Sequence, residues 1–304
     1  MLSVADGGWM LALLVGLIPA FGFGMIGPVM QLIGGNATNK QMGMVLAALA
    51  VSVVMLIVRP PLWSVTLLLA AAVNGISWSF AEILLIKSFD ALGVSRAAPI
   101  STGLQLLGAS AVGVLFLGEW RREGQLLVGC IALVLVILGV FLSSRPDKAE
   151  NDKQSNSGAH GLLLVIASSA FYVSYAASGN LFAVDGLDLL FPQALFMVVT
   201  TALIGLPMCK WKLFGSDEAL FGRKTWQNLG SGAFFAAGNA CVLISNQLNG
   251  LAVGWTLSQL NVIVSTLGGL ILLHERRSAR GLKLVIAGMT LVALGGILIG
   301  FTKG

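Results

Sequence analysis

Apolar runs long enough to cross a lipid bilayer recur along the whole chain, separated by short polar stretches. A helix needs about 20 apolar residues to span the hydrocarbon core. Cutting the sequence at its charges and turn residues predicts ten such segments: 9–34, 40–58, 63–87, 94–117, 122–142, 160–182, 188–208, 226–248, 252–273 and 280–301. Backbone polar groups have no water to bond to in lipid, and runs this long and uniformly apolar read as helices, not barrel strands. The residues ahead of the first segment, MLSVADGG, carry Asp6 and no basic residue, so it reads as a retained helix and not a signal peptide. The longest polar stretch, SSRPDKAENDKQSNSGAH (143–160), lies near the midpoint and reads as a solvated linker. The expected organisation is therefore 1–142 as a first five-helix unit, 143–159 as linker and 160–304 as a second.

The two units resemble each other. STGLQLLGASAVGVLFLGEWRREG (101–124) aligns without gaps on LSQLNVIVSTLGGLILLHERRSAR (257–280), pairing Thr102 with Ser258, Gln105 with Asn261, Gly113 with Gly269 and Glu119 with Glu275. With an odd number of spans in each unit, the second enters the membrane from the opposite side. The expected fold class is thus all-α integral membrane, with ten transmembrane helices as two inverted five-helix repeats. That plan is common in secondary transporters, whose substrate site lies near the midplane between the repeats.

Composition sharpens this. Hydrophobic residues make up 57% of the chain and charged residues 10%, with a mean hydropathy of +0.91. A soluble domain carries roughly a quarter charged residues, so a soluble enzyme, a nucleic-acid binder and a disordered chain are excluded. The 38 glycines suit close helix packing in lipid. Of the 18 basic residues, 14 fall on the face that holds the linker. Basic loops stay cytoplasmic, so both termini are expected outside.

Candidate chemistry is sparse. No G-x-x-x-x-G-K-[ST] string is present, and GSDEALFGRKT (215–225) has the wrong spacing for one. His160 and His274 stand at segment ends without metal-ligand spacing, and Cys130, Cys209 and Cys241 form no framework. Neither a metal nor a cofactor is expected, nor an enzymatic activity. Asn36-Ala37-Thr38 fits a glycosylation acceptor in isolation.

Polar residues inside the spans must face partners or a watery cavity. Asn74, Trp78 and Glu82 share one face of the third segment, and Ser101 and Gln105 one face of the fourth. Asn239 and Asn246 lie in the eighth. Ser258, Asn261 and Ser265 form a stripe in the ninth, with Gln259 about 100° away. Amides donate to and accept from hydroxyls, and an indole face stacks on the C–H side of a sugar ring. The expected substrate-binding set is Asn74, Trp78, Ser101, Gln105, Asn239, Ser258, Gln259 and Asn261. Glu82 is the acid deepest within a span. It reads either as the proton-coupling candidate or as a boundary carboxylate near Lys87. Glu119 and Glu275, beside arginines at span ends, read as ion pairs or gate elements. Pro19, Pro28, Pro99, Pro192 and Pro207 are candidate bends.

VSRAAPISTGLQLLGASAVGVLFLGEW (94–120), LSQLNVIVSTLGGLILLHE (257–275) and LIPAFGFGMIGPVMQLIGGNATNKQMG (17–43) resemble the signatures of the bacterial glucose/ribose porter family of the drug/metabolite transporter superfamily. The resemblance covers nearly the whole chain. It implies ten helices in two inverted repeats and monosaccharide uptake across the bacterial plasma membrane, by proton symport with alternating access. Glucose is preferred and ribose next. The implied partners are a small-molecule sugar, protons and the lipid bilayer, with no nucleic acid. The pocket positions it implies are Trp78, Gln105, Asn239, Gln259 and Asn261. Glu82 stands where the family pattern leads one to expect an amide. The alternative from the same superfamily is an exporter of amino acids or other small metabolites, which would favour fixed charges at the site. A membrane sensor or lipid-modifying enzyme would need an effector domain or a polar catalytic cluster.

Overall fold

The computed structural model describes residues 8–143, 145, 155–274 and 278–302. These form twelve helices: α1 (Gly8–Ile33), α2 (Ala37–Val58), α3 (Val65–Leu92), α4 (Val94–Leu115), α5 (Gln125–Ser143), α6 (Ser155–Leu181), α7 (Gly186–Met208), α8 (Arg223–Gln227), α9 (Leu229–Asn249), α10 (Leu251–Gln259), α11 (Asn261–Ile271) and α12 (Ala279–Gly300). Among the described residues, nine helices are long and apolar enough to cross a membrane. Most of the linker lies outside the described residues, as do Glu275 and the two arginines after it.

The ninth expected segment, 252–273, is where pattern and structure differ. It is two helices, α10 and α11, meeting at Leu260. Leu260 keeps right-handed helical angles, φ −61° and ψ −7°. Its N–H bonds to Leu257 O at 3.3 Å, and Ile263 N bonds to Leu260 O at 3.0 Å. These are i→i−3 bonds, so one tightened turn interrupts the α pattern. The sequence carries no trace of such a turn, because Leu260 and its neighbours Gln259 and Asn261 include no proline or glycine to break the helix. α3 runs beyond its expected end at residue 87 to Leu92. Phe89 and Leu92 stay buried there while Lys87 and Asp90 are exposed.

Local chemistry sets several helix starts. Asn36 and Asn39 form a reciprocal cap at α2, with Asn39 N bonding to Asn36 Oδ1 at 2.8 Å. Ser64 caps α3 through Leu67 N at 3.0 Å. Asp185 caps α7 through the amides of Leu187 and Asp188. Each satisfies a donor that a helix start leaves open. Asn36 of the possible glycosylation triplet also donates from Nδ2 to Glu218 O at 3.3 Å.

The burial pattern is that of a protein in lipid. Leu127, Ile131, Val134, Leu138 and Phe141 of α5 are exposed, as are Val54, Ile57 and Val58 of α2. Asn39, Gln41, Asn74, Gln105, Gln193, Asn239, Asn246 and Gln259 are buried. Apolar side chains meet the hydrocarbon and amides turn inward. α3 packs on α6, α1 on α9, α5 on α12 and α2 on α7. α5 and α12 approach most closely at two glycines. A Cβ on Gly139 would sit 2.5 Å from Gly288 O, and one on Gly288 2.4 Å from Gly139 O.

Two connections are single residues. Gly93 joins α3 to α4 at φ 76°, ψ 157°, and Gly250 joins α9 to α10 at φ 80°, ψ 162°. This is a region of backbone space open essentially to glycine alone. α4, which leaves Gly93, and α11, which follows α10, also end alike. Phe116 N and Leu117 N both bond to Val112 O, at 3.0 and 3.3 Å, and Leu272 N and Leu273 N both bond to Gly268 O, at 2.9 and 3.3 Å. Replacing Gly93 or Gly250 by alanine is expected to cost roughly 1–3 kcal/mol. Thermal unfolding of the purified protein in detergent checks this, and an unfolding temperature equal to that of the parent would contradict the strained-turn assignment.

Candidate functional site

A cavity of about 90 Å³ lies among α1, α3, α4, α6, α9, α10 and α11. At the roughly 10–15 Å³ that one water needs, it has room for several. Its wall takes Phe23, Ile26 and Met30 from α1, Trp78, Glu82, Leu85 and Phe89 from α3, and Val94, Ala98, Ser101, Thr102 and Gln105 from α4. α6 adds Tyr172 and Tyr175, α9 Phe235, and the broken pair α10 and α11 adds Trp255, Gln259, Asn261 and Ser265. The α1, α3 and α4 contributions run from the middle of α3 and α4, at Trp78 and Gln105, to the ends nearest the α1–α2 and α3–α4 connections. The cavity therefore extends from the middle of the bundle toward the side of those connections.

Six of the residues expected from sequence meet at this wall: Trp78, Glu82, Ser101, Gln105, Gln259 and Asn261. Gln105 is the hinge of the polar side. Its Nε2 donates to Ser101 Oγ at 2.7 Å, one turn back on the same helix, and its Oε1 accepts from Gln259 Nε2 at 3.1 Å. Gln259 is the last residue of α10, so the tightened turn at Leu260 sets its side chain against α4. The Gln105–Gln259 bridge joins helices far apart in the chain at one wall. The aromatic side is a stack. Trp78 and Phe235 lie 4.4 Å apart, centroid to centroid, with 29° between planes. Trp255 meets Tyr175 edge-on at 5.7 Å, and its buried Nε1 has no hydrogen-bond partner among the described residues.

Asn74, Asn239 and Ser258 stand outside the cavity lining. Asn74 is wholly buried and donates to Tyr175 O at 3.0 Å and Ser178 Oγ at 2.9 Å, tying α3 to α6. Asn239 accepts from the Tyr175 hydroxyl at 2.6 Å and so fixes the orientation of a residue that does line the cavity. Ser258 Oγ bonds back to Trp255 O at 2.7 Å within α10. Glu82 is buried and accepts a hydrogen bond from the Tyr172 hydroxyl. Lys87, one helical turn on, is exposed, so the carboxyl group is held by α6 and not by its own helix. Glu119 uses Oε1 to accept from Leu251 N at 2.8 Å, capping the start of α10 at the opposite end of the bundle.

The lining residues outside the expected set include Tyr172, Tyr175, Phe235 and Trp255. For the tyrosines a signal exists. The chain has two tyrosines in all, three residues apart in one apolar segment, where a buried phenol needs a partner for its O–H. Phe235 and Trp255 carry no comparable mark, because an aromatic in a membrane helix is ordinarily packing.

The profile of the family described as "Sugar transport protein" matches residues 14–302. The chain is 36% identical over 294 residues to a protein of Listeria monocytogenes named for sugar uptake, covering 96% of this chain and 99% of that one. It is 34% identical to a protein of Latilactobacillus sakei named for ribose uptake, over 96% and 98% of the two chains. It is 32% identical to a protein of Priestia megaterium named for glucose uptake, over 94% and 98%. A solved crystal structure superposes with a TM-score of 0.63 over 96% of this chain and 98% of the other; at 14% identity it speaks for the fold alone.

Removing the amide of Asn74 takes away both bonds to α6 and leaves Ser178 without that donor. Asn74→Ala is expected to lower stability by about 1–2 kcal/mol. Thermal unfolding reads this out, and an unchanged unfolding temperature would remove Asn74 as a tie between α3 and α6.

Proposed function

This chain belongs to the sugar transport protein family, and from that premise we propose that it is a secondary active importer of a monosaccharide. Glucose is the first candidate and ribose the second, with uptake by proton symport and alternating access across the bacterial plasma membrane. The observation that carries the proposal is the cavity wall itself. The amides of Gln105, Gln259 and Asn261 share the wall with the aromatic stack of Trp78 and Phe235 and with a single carboxyl group, Glu82. A pyranose presents hydroxyls around its rim and C–H bonds on its faces. Amides answer the rim and aromatic faces answer the ring, which leaves few displaced water bonds unreplaced. An amino-acid substrate would call for a cation as well as an anion at the site, and no lysine or arginine lines the cavity.

We read the architecture behind this cavity as ten spans in two inverted five-helix repeats, 1–142 and 160–304, joined by the linker 143–159. α10 and α11 together make the ninth span. Partner exchange among the helices supports the reading. α3 packs on α6 as α9 packs on α1; α3 on α7 as α9 on α2; and α4 on α6 as α10 and α11 on α1. The matching glycine turns at Gly93 and Gly250 point the same way. A broken helix at the site is a recurrent feature of such transporters, because it turns side chains and helix ends toward the ligand. The bias of basic residues places the linker in the cytoplasm and both termini outside. On that reading the cavity extends from the middle of the bundle toward the cytoplasmic side. Sugar and proton enter from outside, the halves rearrange about the wall, and both leave to the cytoplasm.

Two experiments test the proposal. Proteoliposomes containing the full chain are expected to take up labelled glucose and ribose saturably, and to accumulate sugar only with an inward proton gradient. Gln259→Ala removes the donor that spans the cavity wall and is expected to raise the half-saturating concentration about five- to tenfold. Absence of saturable uptake of either sugar would overturn the substrate class. Glu82→Gln is expected to abolish accumulation against a gradient while leaving sugar exchange across the membrane intact. Unchanged gradient-driven accumulation would remove Glu82 from coupling.

A further inference from the structure

Glu82 and Tyr172 meet side chain to side chain at the cavity wall. The Tyr172 hydroxyl donates to Glu82 Oε2, and both residues line the space a ligand fills. A phenol has one hydrogen to donate and a carboxylate has none, whereas a protonated carboxyl group has its own O–H. The direction of this bond is therefore tied to the charge on Glu82. While Glu82 is an anion it holds the Tyr172 hydrogen. A proton on Oε2, the oxygen that meets Tyr172, makes the carboxyl group the donor to the Tyr172 oxygen, and the phenol hydrogen is released to turn toward the cavity.

We infer that Tyr172 is the residue through which proton and sugar are coupled: protonation of Glu82 reverses the Glu82–Tyr172 hydrogen bond and frees the Tyr172 O–H to donate to a sugar hydroxyl. The inference rests on reading the cavity as a monosaccharide site. The proton comes from water at the open side and binds a carboxylate oxygen of Glu82. No bond to carbon forms or breaks. Loss of that proton on the far side reclaims the phenol hydrogen for the carboxylate and withdraws it from the sugar, which favours release.

The groups around Glu82 leave this pair as the titrating element of the wall. Among the described residues, α6 presents Tyr172 and Tyr175, with His160 exposed at its start. α4 brings Arg96, α7 Asp188 in its first turn and α9 Cys241, none of which lines the cavity. Lys40 of α2 donates to Gln31 Oε1 at 2.8 Å, and Lys87 and Asp90 of α3 are exposed. α1, α10 and α11 carry no charged residue. Tyr175 supplies the internal comparison. It sits one turn from Tyr172, lines the same cavity, and donates at 2.6 Å to Asn239, an amide that does not titrate. Its bond keeps one direction whatever the pH.

The test is calorimetric binding of glucose and of ribose to the purified full-length protein in mildly acid and mildly alkaline buffer. The wild type is expected to bind about tenfold more tightly in acid. Tyr172→Phe is expected to bind equally at both, near the alkaline wild-type affinity. Tyr175→Phe is expected to bind more weakly at both while keeping the tenfold ratio. A Tyr172→Phe protein that keeps the wild-type ratio, or a Tyr175→Phe protein that loses it, overturns the inference. A wild type that binds sugar with no pH dependence overturns it too and leaves the sugar site standing. Failure of the wild type to bind either sugar removes the sugar reading itself. If Tyr172→Phe does not fold, infrared difference spectra of ring-labelled wild type decide. Adding sugar in acid is expected to shift the tyrosine C–O band, and a band that stays in place counts against the inference.

Discussion

Hydrocarbon offers no hydrogen bonds, and that constraint orders everything in this protein. It makes the spans helical, because only a helix satisfies its own backbone. It also governs the side chains. An amide facing lipid would forfeit its water bonds with nothing in return, so each polar residue within a span must find another. The exposed leucines and valines of α2 and α5 and the buried amides of α2, α3, α4, α7, α9 and α10 are two consequences of one rule. Where several polar groups gather and keep bonding capacity beyond the bonds they make to one another, a cavity able to hold a polar ligand results. Gln105, Gln259, Ser101 and Asn261 form that gathering. Asn74 and Asn39 do not, since helix–helix bonds engage their side-chain nitrogens.

Placing these groups at one height takes backbone devices that a straight bundle lacks. Gly93 and Gly250 each turn the chain within one residue, so α4 and α10 start hard against the helices before them. The tightened turn at Leu260 then rotates Gln259 relative to Asn261, and two residues that a continuous helix would set on different faces both reach the cavity. The costs of a strained glycine turn and a weakened helical bond are each on the order of 1 kcal/mol. They are modest beside the cost of leaving such amides without partners in lipid, which explains why the site can sustain them.

How much of this was legible in the sequence follows from which forces leave a compositional mark. Most of the apolar segments were legible, because burial in lipid selects apolar residues continuously over about 20 positions. Nine of the ten expected segments are single described helices long enough to cross. Six residues of the expected site meet at the cavity because polar residues inside spans are costly enough to be rare. The break at Leu260 was illegible: it is made by hydrogen-bond geometry and not by residue type. Tertiary placement was equally hidden. Asn74 and Trp78 share a helical face, yet one ties α3 to α6 and the other lines the cavity, a distinction decided by the helix opposite. The partner of Glu82 was hidden too, since Tyr172 lies 90 residues away on α6.

In the proposed inverted repeat, setting Gly93 on Gly250 aligns α3 with α9, the third span of each half, at a constant offset of 157 residues. Trp78 then falls on Phe235, and Glu82 on Asn239. The first pair is stacked face to face, ring on ring, so the contact between the halves is made by equivalent residues. The second pair is bonded to two phenols of a single helix, Tyr172 and Tyr175. At that second position the partner is the same kind of group, and the difference is a carboxyl in the first half against an amide in the second. If both were amides, the two faces of the wall would respond alike to pH, and neither could draw on a proton gradient. If both were acids, two negative charges would have to be desolvated within one small cavity, which is far costlier than one. In the proposed symport, one acid opposite one amide lets the wall bind a proton at one position alone, and it accounts for Glu82 standing where its counterpart is an asparagine.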